Sequence, residues 1–462
     1  MADRDLYGVI IEEGPQNWQI LQQTDGAADI VLAGHLYYPD ELNGSEFVCA
    51  RVVDEATGLV VCPHVSTTVQ ADRSWRLILR KVPAGGLYRI ETRMRFDVIK
   101  EKRGDNIHHI GVGDLFVIAG QSNAVGVGKD TIFDPPEPGI HMFRASGIWD
   151  MASHPLADNT GTRHPVNQET VQVGHSPWLS FARTLRRFVP HPIGLIPTAL
   201  GGSPLSMWHQ DEDGRLYRNM LDIVAAAGGK VRGILWHQGC NDANPTDAAS
   251  YGRRFGEVVA DMRRDLGDGQ LPVFTVQLNK ATCGKYNPAY HGREWALIRE
   301  AQRRAAMEIP GVSVAVSVDL KVCDGIHNSA ASNMVIGERV ARQALSRLYH
   351  RPMLSESPNA VRAWHSGEKQ VTVDFENVCG RFNLDLIRLE QFPLCVEDVK
   401  GFIGLTEYGT DSSRITLELE REPGDGAQVH GAWEMNPPGI LPYDVESYLP
   451  ILAFYGLPVE EE

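Results

Sequence analysis

The sequence predicts an α/β fold: a three-layer α/β/α core with a parallel five-stranded sheet, flanked on both sides by β-rich, sandwich-like regions. Two observations carry this prediction. Between about residues 110 and 350, short runs rich in Val, Ile and Leu alternate with segments of helical length, a pattern typical of a parallel sheet covered by helices on both faces. On either side of this stretch, β-prone runs are separated by turn residues, with no helical segment between them.

Chain length supports a division into several domains. A chain of 462 residues is too long for one ordinary core, because single domains hold about 100–200 residues. We predict a β-sandwich domain at 1–104, an α/β domain at 105–350, and a β-rich domain at 351–462 that packs back on the body. The charged segment 100–106 is predicted to connect the first two.

The predicted elements of the central region follow one another in regular order. The strands are 114–119, 192–199, 231–236, 271–278 and 312–318. The helices are 177–188, 214–227, 246–265, 290–308 and 329–348. A long insert between the first strand and the first helix, residues 131–172, is predicted to shape the pocket for a substrate.

Composition excludes several classes of protein. With 44 basic and 59 acidic residues the net charge is -15, which argues against nucleic acid as a partner. No stretch approaches the roughly 18 apolar residues that a membrane helix needs, so we expect no membrane partner. The seven cysteines are scattered and lack any C-x-x-C pair, which favours reduced thiols and a cytoplasmic location. A homo-oligomer is compatible with the sequence.

The run from Asp114 to Asn123 is the most informative stretch of the chain. Apolar residues end abruptly at Gly120, which predicts a buried strand with Ser122 just beyond its carboxyl end. In open α/β sheets, ligands bind at the carboxyl ends of the strands. Ser122 is therefore placed where a nucleophile can be rigid and still accessible.

Three further loops at strand ends carry polar residues. Residues 198–204 contain Gly201 and Gly202, whose backbone can approach a ligand closely. Residues 236–242 contain His237, Gln238 and Asn241. In the fourth loop Asp324 stands three residues before His327, across a glycine, so that its carboxylate can accept from Nδ1–H and leave Nε2 free.

These loops together contain the groups that serine catalysis requires. A serine hydroxyl needs a base to take its proton and donors to hold the oxyanion that develops. Ser122, His327 and Asp324 supply the nucleophile, the base and its orienting group. The backbone N–H of Ser122, an N–H at Gly201 or Gly202, and a side-chain amide from Gln238 or Asn241 supply the donors. Four neighbouring side chains are predicted to contact the substrate: Gln121, Asn123, Trp208 and His237.

Motifs for cofactors are not found. The Gly126-Val-Gly128 stretch lacks the third glycine of a dinucleotide fingerprint, and Gly128-Lys129 is followed by Asp130 instead of Ser or Thr. No His-Glu-x-x-His zinc helix is present. We therefore expect neither a cofactor nor a metal.

The four blocks resemble those of a known family, the sialate O-acetylesterase-like carbohydrate esterases of the SGNH-type serine esterase superfamily. The resemblance rests on residues 120–123, 201–208, 236–242 and 324–327, in that order. It implies a flavodoxin-like core and hydrolysis of O-acetyl esters on sugars or oligosaccharides through an acetyl-enzyme, of the sialate or acetyl-xylan type. It also implies that Ser122 is the nucleophile, His327 the general acid/base and Asp324 its orienter.

Two alternatives stay open at this point. A short-chain lipid esterase or thioesterase of the same fold would need an apolar tunnel or lid, against which the polar insert at 131–172 argues. A carbohydrate-binding protein with a decayed esterase site predicts that replacing Ser122 changes nothing.

Overall fold

The computed structural model of the chain describes residues 8–37, 42, 44–96, 101–283 and 292–461. Its class is mixed α/β, as predicted, with apolar cores in three successive parts of the chain. No helix in these described ranges is long and apolar enough to cross a membrane.

The first part of the chain consists of strands. Their bounds are β1 (Gly8–Glu13), β2 (Ile20–Gln22), β3 (Ala27–Tyr37), β4 (Phe47–Asp54), β5 (Val60–Thr68), β6 (Ser74–Pro83), β7 (Gly85–Arg95) and β8 (Glu101–Gly120). Strands β1, β3 and β6 form one antiparallel sheet, and β5, β4, β7 and β8 form a second. Alternating residues of both sheets, among them Leu32, Leu79 and Ile90, meet in one buried cluster.

Strand β8 joins this part of the chain to the next. Its first half pairs antiparallel with β7, and its second half lies inside the central sheet. The predicted connector is therefore wrong over residues 101–106, which belong to this strand, and the predicted division at residue 104 falls within it. The charges there are accommodated because they face solvent and form ion pairs, such as Glu101 with Arg93 at 2.8 Å.

The central sheet is larger than the five predicted strands. Beside β8 it contains β9 (Ile140–Phe143), β10 (Trp149–Met151), β11 (Ile193–Pro197), β12 (Gly233–His237), β13 (Val273–Val276) and β14 (Val312–Ala315). The order is β10-β9-β11-β8-β12-β13-β14. All neighbours are parallel except β10 and β9. The two extra strands come from the insert, whose short β-segments are interrupted by turns.

Helices cover both faces of this sheet. Their bounds are α1 (Ser122–Val125), α2 (Trp178–Arg186), α3 (Arg215–Ala227), α4 (Tyr251–Asp265), α5 (Gly292–Glu308) and α6 (Ala330–Tyr349). Successive side chains of a strand point to opposite faces. Val117 and Ala119 accordingly pack with α3, α4 and α5, whereas Phe116 and Ile118 pack with α2 and α6.

The last part of the chain is again built of strands. They are β15 (Asn359–Gly367), β16 (Gln370–Glu376), β17 (Phe382–Asn383), β18 (Leu394–Asp398), β19 (Gly401–Ile403), β20 (Leu405–Asp411), β21 (Arg414–Leu419), β22 (Gln428–Gly431), β23 (Tyr443–Asp444) and β24 (Phe454–Glu460). Eight of them form one sheet, and β17 pairs with β23. Residues before β24, including Leu452 and Ala453, pack against Val314 and Val316 at the end of β14, so this part of the chain is docked on the central sheet.

Candidate active site

The predicted loops meet at the carboxyl edge of the central sheet, because β8, β11, β12 and β14 run parallel. Strand β8 ends at Gly120 in a conformation with φ +127°. A Cβ atom there would lie 2.3 Å from the carbonyl oxygen of His237. Only glycine permits this close approach, and it turns the chain sharply into α1, whose first residue is Ser122.

Ser122, His327 and Asp324 form a continuous hydrogen-bonded relay. The Oγ of Ser122 lies 2.9 Å from Nε2 of His327, and Nδ1 of His327 lies 2.8 Å from Oδ2 of Asp324. The backbone N–H of His327 also donates to Oδ1 of Asp324 at 2.9 Å. A carboxylate at Nδ1 requires the proton on that nitrogen, so Nε2 is left as the acceptor for the serine hydroxyl.

Asp324 has a second partner, the cationic side chain of Lys129, which no motif in the sequence indicates. The Nζ of Lys129 lies 2.8 Å from Oδ2, the same oxygen that faces His327. Burial by itself raises the pKa of Asp324, but the hydrogen bonds from Lys129 and His327 outweigh it and hold that pKa well below its ordinary value. The carboxylate is therefore ionised across the physiological pH range.

The glycine loop after β11 offers a free backbone donor at Gly202. The N–H of Gly201 donates to Oε2 of Glu169 at 2.6 Å, so the prediction that Gly201 could serve as an oxyanion donor is not supported. Glu169 lies on the insert, is buried, and also accepts the N–H groups of Thr170 and Val171. Within the described part of the chain, the N–H of Gly202 has no hydrogen-bond partner.

The structure distinguishes between the two candidate side-chain amides. Gln238 is fully buried, and its Nε2 donates to the carbonyl of Ser203 at 3.1 Å and to Asp242 at 2.5 Å. Both N–H groups of this amide are therefore engaged in the core, so the prediction of Gln238 as an oxyanion donor is not supported. Asn241 is exposed, and its Nδ2 donates to the carbonyl of Gly202 at 2.6 Å, which leaves the second N–H of this amide available.

Gln121 and Asn123 are positioning residues, not the substrate contacts that were predicted. Both side chains are buried, with exposed fractions of 2% and 3%. The Oε1 of Gln121 accepts the N–H of Gly239 at 3.0 Å, which orders the loop after β12. The Oδ1 of Asn123 accepts the N–H of Asn328 at 3.0 Å, which ties the loop of His327 to the start of α1.

Trp208 and His237, the other two predicted substrate contacts, lie in the core. Trp208 is fully buried and packs edge-on against Trp236, with ring centroids 5.2 Å apart. His237 is also buried, and burial lowers its pKa to about 3, so its ring is neutral. Neither side chain can touch a substrate in this structure. The predictions that Trp208 and His237 contact the substrate are therefore wrong, and both residues are part of the core.

One group of side chains has the composition of a metal site. Asp134, His154 and His175 bring their ligand atoms within 4.8 Å of one another. However, Nδ1 of His154 accepts the N–H of Ser176, so its Nε2 carries the proton and donates to Asp134. With His175 at 3.0 Å and Arg183 on the other oxygen, the carboxylate is surrounded by donors. We refer to these four side chains as the Asp134 clamp.

Lys129 and Glu169 were not predicted as residues of the site. Both lie between α1 and α2, in or next to the insert, where no hydrophobic period marks the local structure. In the sequence, Lys129 stands only in an incomplete phosphate-binding motif. Glu169 stands in no motif, and only the folded insert brings it to Gly201.

One protein-family model matches the chain. The model of the family described as carbohydrate esterase, sialic acid-specific acetylesterase, matches residues 112–346, just over half of the chain. No curated protein sequence matches the chain.

Three solved structures can be compared with this chain. A carbohydrate acetylesterase from Xanthomonas citri superposes with a TM-score of 0.66 at 20% identity, covering 95% of this chain and 97% of that one. A protein from Arabidopsis thaliana is 25% identical over 50% of this chain and 98% of that one, with a TM-score of 0.43. The protein NanS is 19% identical over 52% of this chain and 98% of its own, with a TM-score of 0.40.

The first of these structures shows that the overall fold is shared over nearly the whole chain. The family match covers the central sheet, its helices and all four polar loops. The resemblance predicted from those loops is therefore confirmed: the chain belongs to the carbohydrate esterase, sialic acid-specific acetylesterase family and is a carboxylic ester hydrolase.

Proposed function

We propose that this protein is a serine-dependent carbohydrate O-acetylesterase, which removes acetyl groups from sugars or oligosaccharides through an acetyl-enzyme. The observation that carries the proposal is the relay from Ser122 through His327 to Asp324, with distances of 2.9 and 2.8 Å. Family membership supports the same chemistry. We further propose that the core is a flavodoxin-like three-layer structure of the SGNH type, which begins in the second half of β8.

Each step of the proposed reaction uses a group that the relay positions. The Oγ of Ser122 attacks the acetyl carbonyl carbon while its proton passes to Nε2 of His327. The tetrahedral intermediate then collapses, the bond to the sugar oxygen breaks, and His327 returns the proton to that oxygen. A water molecule repeats the attack on the acetyl-enzyme, with His327 as base, which releases acetate and restores Ser122.

Three donors are proposed to hold the oxyanion. They are the backbone N–H groups of Ser122 and Gly202 and the side-chain amide of Asn241. The engagement of Gly201 by Glu169 and the burial of Gln238 favour this set over the other combinations that the sequence allows. Each such donor contributes on the order of 3 kcal/mol to lowering the barrier.

The preferred ester and the location of the enzyme are also proposals. We propose a short acyl group, with O-acetylated sialic acids and acetylated xylo-oligosaccharides as the substrates to test first. A cytoplasmic location is proposed because all seven cysteines are free thiols in the structure, as expected in a reducing compartment.

The test is acetate release from a panel of esters by wild type and by Ser122→Ala. The panel contains p-nitrophenyl acetate, butyrate and octanoate, acetylated xylo-oligosaccharides and 9-O-acetyl sialic acid. The proposal predicts turnover of acetyl esters that is lost in the variant. Preference for octanoate would favour a lipid esterase, and binding of the sugars without any turnover would favour a carbohydrate-binding protein.

A further inference from the structure

The segment that carries Lys129 is fixed beside the catalytic loop on both sides. Gly128 exchanges backbone hydrogen bonds with His175, which belongs to the Asp134 clamp. On the other side, Oδ2 of Asp130 accepts the N–H of Ala330 at the start of α6, at 2.9 Å. The backbone of Lys129 therefore has a defined position relative to the loop that holds Asp324 and His327.

The ammonium group of Lys129 shares an acceptor with the catalytic base. Its Nζ and the Nδ1 of His327 both lie 2.8 Å from Oδ2 of Asp324. The side chain of Lys129 is about half exposed, and that of Asp324 is 23% exposed. In the serine protease relay, by contrast, the carboxylate is buried and bonded to the histidine.

We propose that Lys129 is a positioning residue that acts through Asp324 on the relay of Ser122, and so extends the activity of the enzyme toward acid. This inference rests on the serine esterase function proposed above. The lysine fixes the orientation of the carboxylate, and its positive charge opposes the second positive charge that forms when His327 binds a proton.

The sign of the effect follows from the charges around the carboxylate. An opposite charge favours the ionised form of a group, and a like charge disfavours it. Lys129 cancels part of the carboxylate charge that would otherwise stabilise imidazolium, and it repels imidazolium directly. Both contributions disfavour a second positive charge beside Asp324, so removing the lysine should make the activity fall at a higher pH.

Two thiols also lie near the carboxylate of Asp324. Cys323 comes from the same loop, and Cys283 comes from the segment after β13. Burial raises the pKa of both thiols, so both are neutral when the enzyme works. In the described part of the chain, the side chains that contact this carboxylate are thus one cation, Lys129, and the ring of His327.

The experiment compares the pH dependence of kcat/KM for wild type, Lys129→Met and Lys129→Arg on p-nitrophenyl acetate. The acidic limb is the part of this profile where kcat/KM falls as the pH decreases. We expect Lys129→Met to shift this limb to higher pH by about 0.5–1 pH unit, a modest shift because a half-exposed charge is screened. This corresponds to a loss of about three- to tenfold in kcat/KM on that limb. Lys129→Arg should keep the wild-type limb, because the charge is retained.

The matched control is Lys230→Met, which removes the same charge from an exposed lysine ahead of β12, at the opposite edge of the sheet. Its acidic limb should coincide with that of wild type. Thermal unfolding of each variant shows whether it is folded, and a merely structural role of Lys129 would lower the yield of active enzyme without moving the limb. An unmoved limb in folded, active Lys129→Met overturns the inference.

The same data separate this inference from the proposed function. If wild type releases no acetate from any ester, the proposed function fails. If wild type is active, Ser122→Ala is inactive and the limbs of Lys129→Met and wild type coincide, only the role of Lys129 fails.

Discussion

At the scale of single residues, the carboxylate of Asp324 decides which nitrogen of His327 carries the proton. Asp324→Asn keeps the shape but can present an N–H to Nδ1, which favours the wrong tautomer. We expect kcat/KM to fall by about 10³–10⁴. Steady-state kinetics on p-nitrophenyl acetate measure this loss, and a fall of less than about tenfold would contradict the assigned role.

Glu169 holds the loop from which Gly202 projects its N–H. Glu169→Ala removes the acceptor of Gly201, so the loop can rotate and the oxyanion donor moves. We expect kcat to fall about tenfold, less than the 10²–10³ lost when such a donor is deleted. Glu137→Ala, at an exposed carboxylate of the same insert, should leave kcat unchanged. Equal activities of the two variants would show that the Gly201 contact does not matter.

The three residues of the relay could be located from the sequence because each stands in a short polar block after an apolar strand. The same reasoning failed for Trp208 and His237, since a block of polar residues does not show which of its side chains turn into the core. Gln238 and Asn241 are three residues apart, and only the burial of Gln238 separates them. Lys129 and Glu169 were not predictable, because their roles depend on how the insert folds.

At the scale of elements, the Asp134 clamp anchors the insert to α2. Burial raises the pKa of Asp134, but hydrogen bonds from His154, His175 and Arg183 lower it far more, to well below its ordinary value. A depressed pKa in the folded state means that the carboxylate stabilises the fold above the unfolded-state pKa of about 4. That contribution is lost as the pH falls below this value.

Asp134→Asn should therefore lower the free energy of unfolding by about 3 kcal/mol near pH 7, because it breaks a buried, charged network. The difference from wild type should shrink as the pH falls below about 4. Chemical denaturation over a range of pH measures both effects. Glu137→Gln, which removes an exposed partner of Arg183 at 3.3 Å, should cost less than about 1 kcal/mol. A pH-independent difference would contradict the clamp.

The helices and the central strands were predictable at this scale because their apolar runs are long and regular. Predicted helix 329–348, for example, is observed as Ala330–Tyr349. Strand β8 was predicted too short, because its charged first half gives no apolar signal and is held by pairing with β7. Strands β9 and β10 were missed because they have four and three residues and acquire their structure from neighbours distant in sequence.

At the scale of the whole molecule, Arg299 joins the α/β part of the chain to its last part. Its side chain is fully buried on α5. It donates to the carbonyl oxygens of Leu278 and Asn279 at 2.9 Å, and to that of Glu434 at 2.6 Å. The segment around Glu434 is thereby fixed beside the loop that leaves β13.

Arg299→Met fills a similar volume but leaves the carbonyl groups of Leu278 and Glu434 without the arginine donor, whereas that of Asn279 keeps the indole N–H of Trp295. We expect the free energy of unfolding to fall by about 3–5 kcal/mol, and the segment around Glu434 to become accessible to protease. Denaturant unfolding and limited proteolysis measure these effects. Arg304→Met, at an exposed arginine of the same helix that pairs with Glu308, should cost less than about 1 kcal/mol. Equal costs would contradict the role of Arg299.

The central claim is that Ser122 is the nucleophile of an ester hydrolase, and labelling with a fluorophosphonate tests it most directly. The reagent reacts with activated serines, and peptide mass mapping locates the adduct. We predict one label per chain, on Ser122, that forms in parallel with the loss of acetate release and does not form in His327→Ala. A label on another residue, or full activity of a completely labelled enzyme, would contradict the account.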